Sequence, residues 1–221
     1  MADSNPHRFP EAEVSAIYRA IAERRDMRHF RPDPVDPAVL ARLLWAAHHA
    51  PSVGYMQPWR FIRITDRGLR ERMHGLVEKE RCATARALGE REEDFMRLKV
   101  EGLLEAGEVI VVALSDGREK HIFGRRTLPE MDLASVACAI QNMWLAARAE
   151  GIGMGWVSIF DPVDLAALLD MPLGARPVAI LCIGHVDEFY PRPMLEIHQW
   201  AERMPLETVV FENGWREASE G

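Results

Sequence analysis

Two short apolar runs constrain the fold of this chain more than any other feature. Residues 109–114 (VIVVAL) and 178–183 (VAILCI) contain no charged or hydroxyl side chain. Each has the length of a β-strand, whereas a membrane-spanning helix needs about 20 apolar residues. Strands that are apolar along their whole length, without alternation, are typical of positions covered on both faces of a sheet. We therefore expect two fully buried strands, at 108–115 and 177–186.

Helical periodicity surrounds these strands and is clearest at 132–150, where apolar side chains recur at helical spacing. Another predicted helix starts at Pro37, with Asp36 as its N-cap. Helices and strands mix without regular βαβ alternation, which favours an α+β fold. The other predicted elements are helices at 11–25 and 162–169, a mostly helical stretch at 69–107 broken at Gly89, and strands at 60–65, before Ser158 and at 209–211.

No repeat or low-complexity linker divides the chain, so we predict a single domain over 1–221. Its core is expected at about 11–186, followed by a C-terminal extension at about 187–221. The extension contains Trp200, Phe211 and Trp215 but little core of its own. It could pack on a partner subunit or on its own domain, and the pattern does not distinguish the two.

The charge balance limits the possible partners. The net charge of −7 and the pI near 5.7 argue against general affinity for nucleic acid or anionic membranes. An anionic ligand must therefore be held by a local group of arginines. Cys82, Cys138 and Cys182 show no paired spacing, and the first residues do not resemble a signal peptide, so we expect a cytoplasmic protein with reduced thiols.

The first segment that could carry chemistry is RRDMRHF at 24–30. Arg24 and Arg28 are one helical turn apart and Arg25 is adjacent, so an anion between them would relieve their repulsion. Phosphate suits guanidinium groups because they bind it in a bidentate manner. The alternative is that the three arginines simply lie at a helix C-terminus, where the helix dipole favours cations.

The second segment is APSVGYMQPWRF at 50–61. Pro51 and Pro58 fix its path, and Ser52 and Gln57 offer hydrogen-bonding groups that a flat heterocycle could use. The alternative is an ordinary turn between a helix and a strand.

The third segment, at 129–160, contains the central helix and ends in GIGMGWVSIF. Met131, Asp132 and Ser158 lie at element ends, and the glycines could let backbone approach a planar ligand closely. The order helix, glycines, strand is the reverse of a dinucleotide-binding fingerprint. His48 and His49 are adjacent and lack a third ligand nearby, so we expect no metal site.

Taken together, the three segments resemble the FMN-dependent nitroreductase superfamily. APSVGYMQPW, PEMDL and GWVSIF are similar to the BluB-type 5,6-dimethylbenzimidazole synthases within it. Tyr55 and Asp26 depart from the general nitroreductases, which usually carry Asn and a small hydroxyl residue at those positions. The C-terminal pattern retains Arg203, but Ala201 stands where a second basic residue is common.

This resemblance implies a nitroreductase-like fold, with a central mixed or antiparallel sheet flanked by helices. It also implies a homodimer in which the C-terminal extension packs on the partner subunit. The implied reaction consumes reduced FMN, supplied by a separate flavin reductase, together with dioxygen and without a metal. Its products are 5,6-dimethylbenzimidazole, the lower ligand of cobalamin, and erythrose 4-phosphate.

The resemblance also implies roles for individual residues. Asp26 is a general base on the ribityl chain or a partner that orients the arginines, and Ser158 positions dioxygen. Because water must be kept from the reaction, we also consider the stretch around Phe95, Met96 and Leu98, at 90–105, a candidate lid; the alternative is a plain surface helix. Two other functions stay open: an NAD(P)H-dependent nitroreductase that keeps its FMN, and a non-catalytic flavin-binding protein. The residues expected to bind the flavin or its phosphate are Arg24, Arg25, Arg28, Pro51, Ser52, Gln57, Met131, Asp132, Ile159 and Arg203.

Overall fold

The computed structural model describes residues 5–215 and divides between Phe189 and Tyr190 into two compact units. The first unit contains all four strands assigned within the described residues. These are β1 (Trp59–Arg63), β2 (Glu108–Leu114), β3 (Gly153–Val157) and β4 (Arg176–Gly184). They form one sheet in the order β1-β2-β4-β3, and each pairing is antiparallel.

The apolar runs are the two central strands of this sheet, as predicted. Every residue of β2 is buried, and β4 is buried from Ala179 to its end. A parallel connection would require a long crossover between neighbouring strands, whereas antiparallel pairing accepts the helices and loops found here. The predicted α+β class is confirmed, and the sheet is antiparallel.

Helices cover both faces of the sheet. The helix α2 (Pro37–His48) begins where the Asp36 carboxylate accepts a hydrogen bond from the backbone N–H of Ala38 at 2.7 Å. Gly89, with φ of +57°, separates α3 from α4 and confirms the predicted break. The other helices are α1 (Glu11–Glu23), α3 (Arg67–Ala87), α4 (Glu92–Arg97), α5 (Met131–Ala149), α6 (Pro162–Leu168) and, in the second unit, α7 (Met194–Ile197).

Alternation along the strands divides the core into two layers. Ile110, Val112 and Leu114 of β2 pack with residues of α2 and α5. Val109 and Val111 point to the opposite face and pack with residues of α3 and α6. The sheet is therefore the middle layer of three, with α5 along one face.

The helix α1 differs from its neighbours because none of its residues is buried. Its predicted apolar face is present but uncovered: Ile17 and Ile21 are each 48% exposed and Tyr18 is 69% exposed. No helix within residues 5–215 combines the length and the apolar character needed to cross a membrane.

The second unit has little regular structure over its described residues. It contains α7 and a 3-10 turn at Leu206–Thr208. The strand predicted at 209–211 is wrong, because no neighbouring strand pairs with that segment. Phe211 instead stacks on Trp215, with ring centroids 5.3 Å apart. The division into core and extension stays a prediction, as does packing of the extension on a partner.

Candidate active site

An extended segment that follows α1 lies against the outer edge of β3. Asp26 and Met154 form an isolated parallel bridge, and the Met27 N–H donates to the Met154 carbonyl at 3.0 Å. The arginine-rich segment predicted from the sequence is therefore fixed to the free edge of the sheet.

Glycines of β3 make this close approach possible. A Cβ on Gly155 would collide with the Met27 carbonyl and lie 2.8 Å from Nη1 of Arg28. A Cβ on Gly153 would lie 2.5 Å from Cγ1 of Val186. The sequence suggested that these glycines admit a planar ligand, but in the structure the protein's own chain occupies that space.

The Asp26 carboxylate is held on both oxygens. Oδ1 accepts from the backbone N–H of Trp156 at 2.9 Å, and Oδ2 accepts a short hydrogen bond from Nη2 of Arg28. The same nitrogen of Arg28 donates to the Trp156 carbonyl at 2.9 Å. Arg28 is 8% exposed, whereas the Asp26 side chain is 42% exposed. The carboxylate is thus anchored but still accessible to a ligand.

The electrostatic environment of Asp26 combines burial with nearby positive charge. Burial by the surrounding protein raises the pKa of Asp26 above its ordinary value. The charges of Arg28 and Arg24, with the Trp156 N–H, act in the opposite direction without cancelling this effect. A carboxylate with a raised pKa is a stronger base than an ordinary aspartate.

The other two arginines surround the end of α1. The Arg24 guanidinium lies over the Trp144 ring, 4.8 Å from its centroid, in a cation–π contact. Nη1 of Arg25 donates to the carbonyls of Ala22 and Arg24, each at 2.8 Å. These contacts of Arg25 are those of a cation at a helix C-terminus, which was the alternative to phosphate binding.

Ser158 lies in a groove just beyond the end of β3. The groove has a volume of about 490 Å³ and is lined by Trp156, Ser158 and Arg176, with Leu133 and Ala137 of α5. Ser158 is exposed and Ile159 is half-buried. Trp156, whose N–H binds the Asp26 carboxylate, precedes Ser158 by two residues, so the carboxylate and Ser158 are separated by roughly 7 Å along one strand edge.

A second group of predicted residues surrounds the loop between α2 and β1. The Ser52 hydroxyl accepts from the Gln57 N–H at 3.1 Å. The loop is strained at Tyr55 and Gln57, which are not glycine and have φ values of +53° and +49°. Gly54, with φ of +51°, adopts this conformation freely. Pro51 precedes it, and Met131 lies at the first turn of α5.

Ser135, which the sequence reasoning missed, ties this loop to α5. Its hydroxyl accepts from the Val53 N–H at 3.0 Å and donates to the Met131 carbonyl at 2.6 Å. Asp132 and Ser135 are the buried polar residues of α5. A polar residue on the apolar face of the predicted helix was the feature that could have identified Ser135.

Asp132 makes its contacts within the chain. Its carboxylate is paired with Nε of Arg118 at 2.8 Å and Nη2 of Arg125 at 3.1 Å, and the residue is 6% exposed. Neither arginine was identified from the sequence.

The two groups of predicted residues lie at opposite edges of the sheet. Gln57 lies two residues before β1, one edge strand, and Asp26 lies outside β3, the other edge strand. Trp59 pairs with Leu114, at the last residue of β2. Met154 pairs with Ile183 of β4, which pairs with Glu108 at the first residue of β2. Strand spacing and residue rise therefore separate the groups by roughly 25 Å. One chain does not bring them together around one ligand.

Three further predicted features have other surroundings. In the candidate lid, Phe95 and Leu98 are buried, and Arg81 fastens the stretch to α3 by donating to the Met96 carbonyl at 2.6 Å. Its role as a lid stays a prediction. Arg203 belongs to the second unit, beyond α7. No group of His, Cys, Asp and Glu among residues 5–215 is arranged to hold a metal ion.

The fold and site define an α+β protein with an arginine-bound carboxylate at a sheet edge beside an open groove. The chain belongs to the nitroreductase family, whose model matches residues 21–185. The predicted nitroreductase-like fold is thereby confirmed.

Within the nitroreductase family, the chain is similar to proteins with a more specific name. The chain is 47% identical, over 84% of its length and 89% of the relative's, to a protein of Rhodospirillum rubrum named 5,6-dimethylbenzimidazole synthase. A protein of the same name from Rhodobacter capsulatus is 38% identical over 90% of this chain and 97% of its own. A solved BluB-like flavoprotein from Clostridium difficile superposes with a TM-score of 0.69 at 18% identity, covering 89% of this chain and 98% of its own.

Proposed function

We propose that this protein is a 5,6-dimethylbenzimidazole synthase, an oxidoreductase that fragments reduced FMN with dioxygen. The products are 5,6-dimethylbenzimidazole and erythrose 4-phosphate. The similarity to synthases of that name over most of the chain supports this function. The structural observation that carries it is the Asp26 carboxylate, whose side chain is partly exposed and is held in one orientation by Trp156 and Arg28.

Reduced FMN is the substrate, and its phosphate requires cations. Arg24 and Arg28 flank Asp26 in sequence, and Arg28 is fixed by the Trp156 carbonyl. We assign the phosphate to these two arginines with help from Arg25, and from Arg203 of the extension. Guanidinium groups suit this role because they bind phosphate oxygens in pairs.

Asp26 then acts as a general base on the ribityl chain. Its raised pKa brings the carboxylate nearer to the working pH, where a base is most efficient. Ser158, roughly 7 Å from that carboxylate along the same edge, faces the flavin ring end and positions dioxygen. Trp156 lies between the two polar groups, and Ile159 follows Ser158, so one strand edge carries the residues that we assign to the flavin.

The active unit in this proposal is a homodimer with each flavin at the subunit interface. The sheet separates Asp26 from the loop of Pro51, Ser52 and Gln57 by roughly 25 Å, so a partner subunit must supply that loop to each flavin. Met131 is linked to the loop through Ser135, so the partner subunit would supply Met131 together with the loop. The uncovered apolar face of α1 supplies surface that a partner would bury.

A separate flavin reductase supplies the reduced flavin, because nothing in the proposed reaction regenerates it. We place the reaction in the cytoplasm, where reduced flavin is available. The thiols of Cys82, Cys138 and Cys182 are free, as expected of a reducing compartment.

The decisive experiment supplies chemically reduced FMN and air to the purified protein and measures 5,6-dimethylbenzimidazole by mass spectrometry. Product should form in proportion to enzyme, with matching loss of FMN. Intact recovery of all the flavin would point to a non-catalytic flavin-binding protein instead. Rapid anaerobic reduction of bound FMN by NADPH, with no flavin lost when air returns, would point to an ordinary nitroreductase.

A further inference from the structure

The loop of residues 116–130 reaches from β2 to α5 and packs on the strained 52–57 loop. The Phe123 carbonyl lies where a Cβ on Gly54 would be only 2.8 Å away, and a Cβ on Gly124 would lie 2.5 Å from Cγ2 of Val53. No side chain larger than hydrogen can enter this contact. The backbone of the 116–130 loop therefore packs directly against the 52–57 loop and limits its movement.

A buried cluster of ion pairs holds the 116–130 loop in place. Asp132, at the first turn of α5, pairs with both Arg118 and Arg125. Arg118 also donates to the Gly174 carbonyl at 2.8 Å, and Arg125 donates to carbonyls of Arg118 and His121 within the loop. All three side chains are largely buried, at 8%, 18% and 11% exposure for Asp132, Arg118 and Arg125. Charges this well covered are retained only when they are paired.

The same end of α5 reaches the 52–57 loop directly through Ser135, whose hydroxyl accepts from the Val53 N–H. Three residues of that loop have positive φ, and two of them, Tyr55 and Gln57, are not glycine. Such backbone persists only when its surroundings enforce it. Ser135 binds this loop directly, and Asp132 holds the 116–130 loop that packs against it.

We propose that Asp132 is a positioning residue that acts on the substrate through other residues and does not contact the flavin. Together with Ser135, it holds the Ser52–Gln57 loop in the conformation that receives reduced FMN bound to the partner subunit. This proposal rests on the proposed function for its substrate. It assigns roles to Arg118, Arg125 and Ser135, and it explains why the Asp132 carboxylate is paired with two arginines of its own chain.

The test compares Asp132→Asn, which removes the charge at constant size, with Asp164→Asn. The control breaks the surface ion pair between Asp164 of α6 and Lys79 of α3. Losing this charge-assisted pair should raise the KM for reduced FMN by about tenfold, the size expected when a buried charged hydrogen bond is lost. The kcat should change little, because Asp26 and Ser158 are untouched. The dissociation constant for oxidised FMN, from quenching of flavin fluorescence, should rise in parallel.

A double-mutant cycle with Gln57→Ala separates positioning from simple structural damage. If Asp132 acts through the loop, Asp132→Asn should add nothing to the KM once Gln57 is truncated. Additive effects, an unchanged KM, or a fall in kcat alone would overturn the proposal. Should Asp132→Asn fold poorly, Ser135→Ala removes only one hydroxyl and must show the same rise and the same non-additivity. Absence of product from the wild-type protein would instead refute the proposed function, and the FMN affinities would still decide the role of Asp132.

Discussion

The carboxylate of Asp26 accepts a hydrogen bond from the backbone N–H of Trp156, a residue 130 positions later in the chain, at 2.9 Å. The contact joins the arginine-rich segment to β3 and places an accessible carboxylate where the sheet ends. Because Oδ2 is held by Arg28, the carboxylate has one orientation. An oriented group of this kind is what a general base requires.

Replacing Asp26 with Asn should abolish turnover and preserve FMN binding. The amide oxygen can still accept from Trp156, but the base is gone, so kcat should fall about 100-fold or more. Product formation and flavin affinity are measured on the same preparation. The control is Asp33→Asn, which removes a half-exposed carboxylate paired with Arg31. A loss of affinity with kcat retained would show that Asp26 only orients the arginines.

The raised pKa of Asp26 predicts two effects of pH with definite signs. The folded protein holds the Asp26 proton more tightly than the unfolded chain, whose carboxyl has its ordinary pKa of 3.8. This contribution to stability is therefore full below that pKa and is lost as pH rises through the folded-state pKa. The Tm of Asp26→Asn relative to wild type should rise with pH across this window.

The ionised form is the active base, so kcat/KM should fall on acidification with a midpoint above that of an ordinary aspartate. Thermal denaturation and a pH–rate profile test the two effects. The Asp33→Asn protein should keep both dependences. A Tm difference that is constant with pH would contradict the assigned direction of the pKa.

The close approach at Gly155 predicts an unusual cost for adding one methyl group. Gly155→Ala would place a Cβ against the Met27 carbonyl and Arg28, and the backbone there has little freedom to move. We expect a loss of about 1–3 kcal/mol in the free energy of unfolding, with loss of turnover as Asp26 shifts. Gly75→Ala is the matched control, because no atom lies within 4 Å of a Cβ at that position in α3. It should stabilise the protein by up to about 1 kcal/mol. Equal unfolding midpoints for the two variants would contradict the close contact.

Sequence reasoning recovered the fold because local and tertiary preferences agree along most of the chain. The apolar runs at β2 and β4 can be satisfied only in the middle of a sheet, and Asp36 with Pro37 marks a helix start whatever surrounds it. The prediction of a strand at 209–211 was wrong because local preference alone does not make a strand. Val209 to Phe211 have β-forming side chains, but a strand also needs a partner that the local sequence does not specify.

The site was recovered only in part, because several of its relationships are long-range. Arg28 and Asp26 are recognisable as neighbours in sequence, but the contact of Ser135 with Val53 spans 82 positions. The direction of the Asp26 pKa could not be read from the sequence for a related reason. Charges can be read from the sequence, whereas the burial that outweighs them depends on how the segment packs on β3.

The separation of Asp26 from Gln57 across the sheet predicts complementation between two inactive subunits. In the proposed dimer, each site takes Asp26 from one subunit and the Ser52 and Gln57 loop from the other. A heterodimer of Asp26→Asn with a Ser52→Ala, Gln57→Ala subunit, isolated by two different tags, would contain one intact site and one doubly defective site. It should recover about half of the wild-type activity per dimer, since a two-fold axis relates the sites. Each variant homodimer supplies the control and should stay inactive. An inactive heterodimer would mean that these residues act within a single chain, which the roughly 25 Å between the sheet edges argues against.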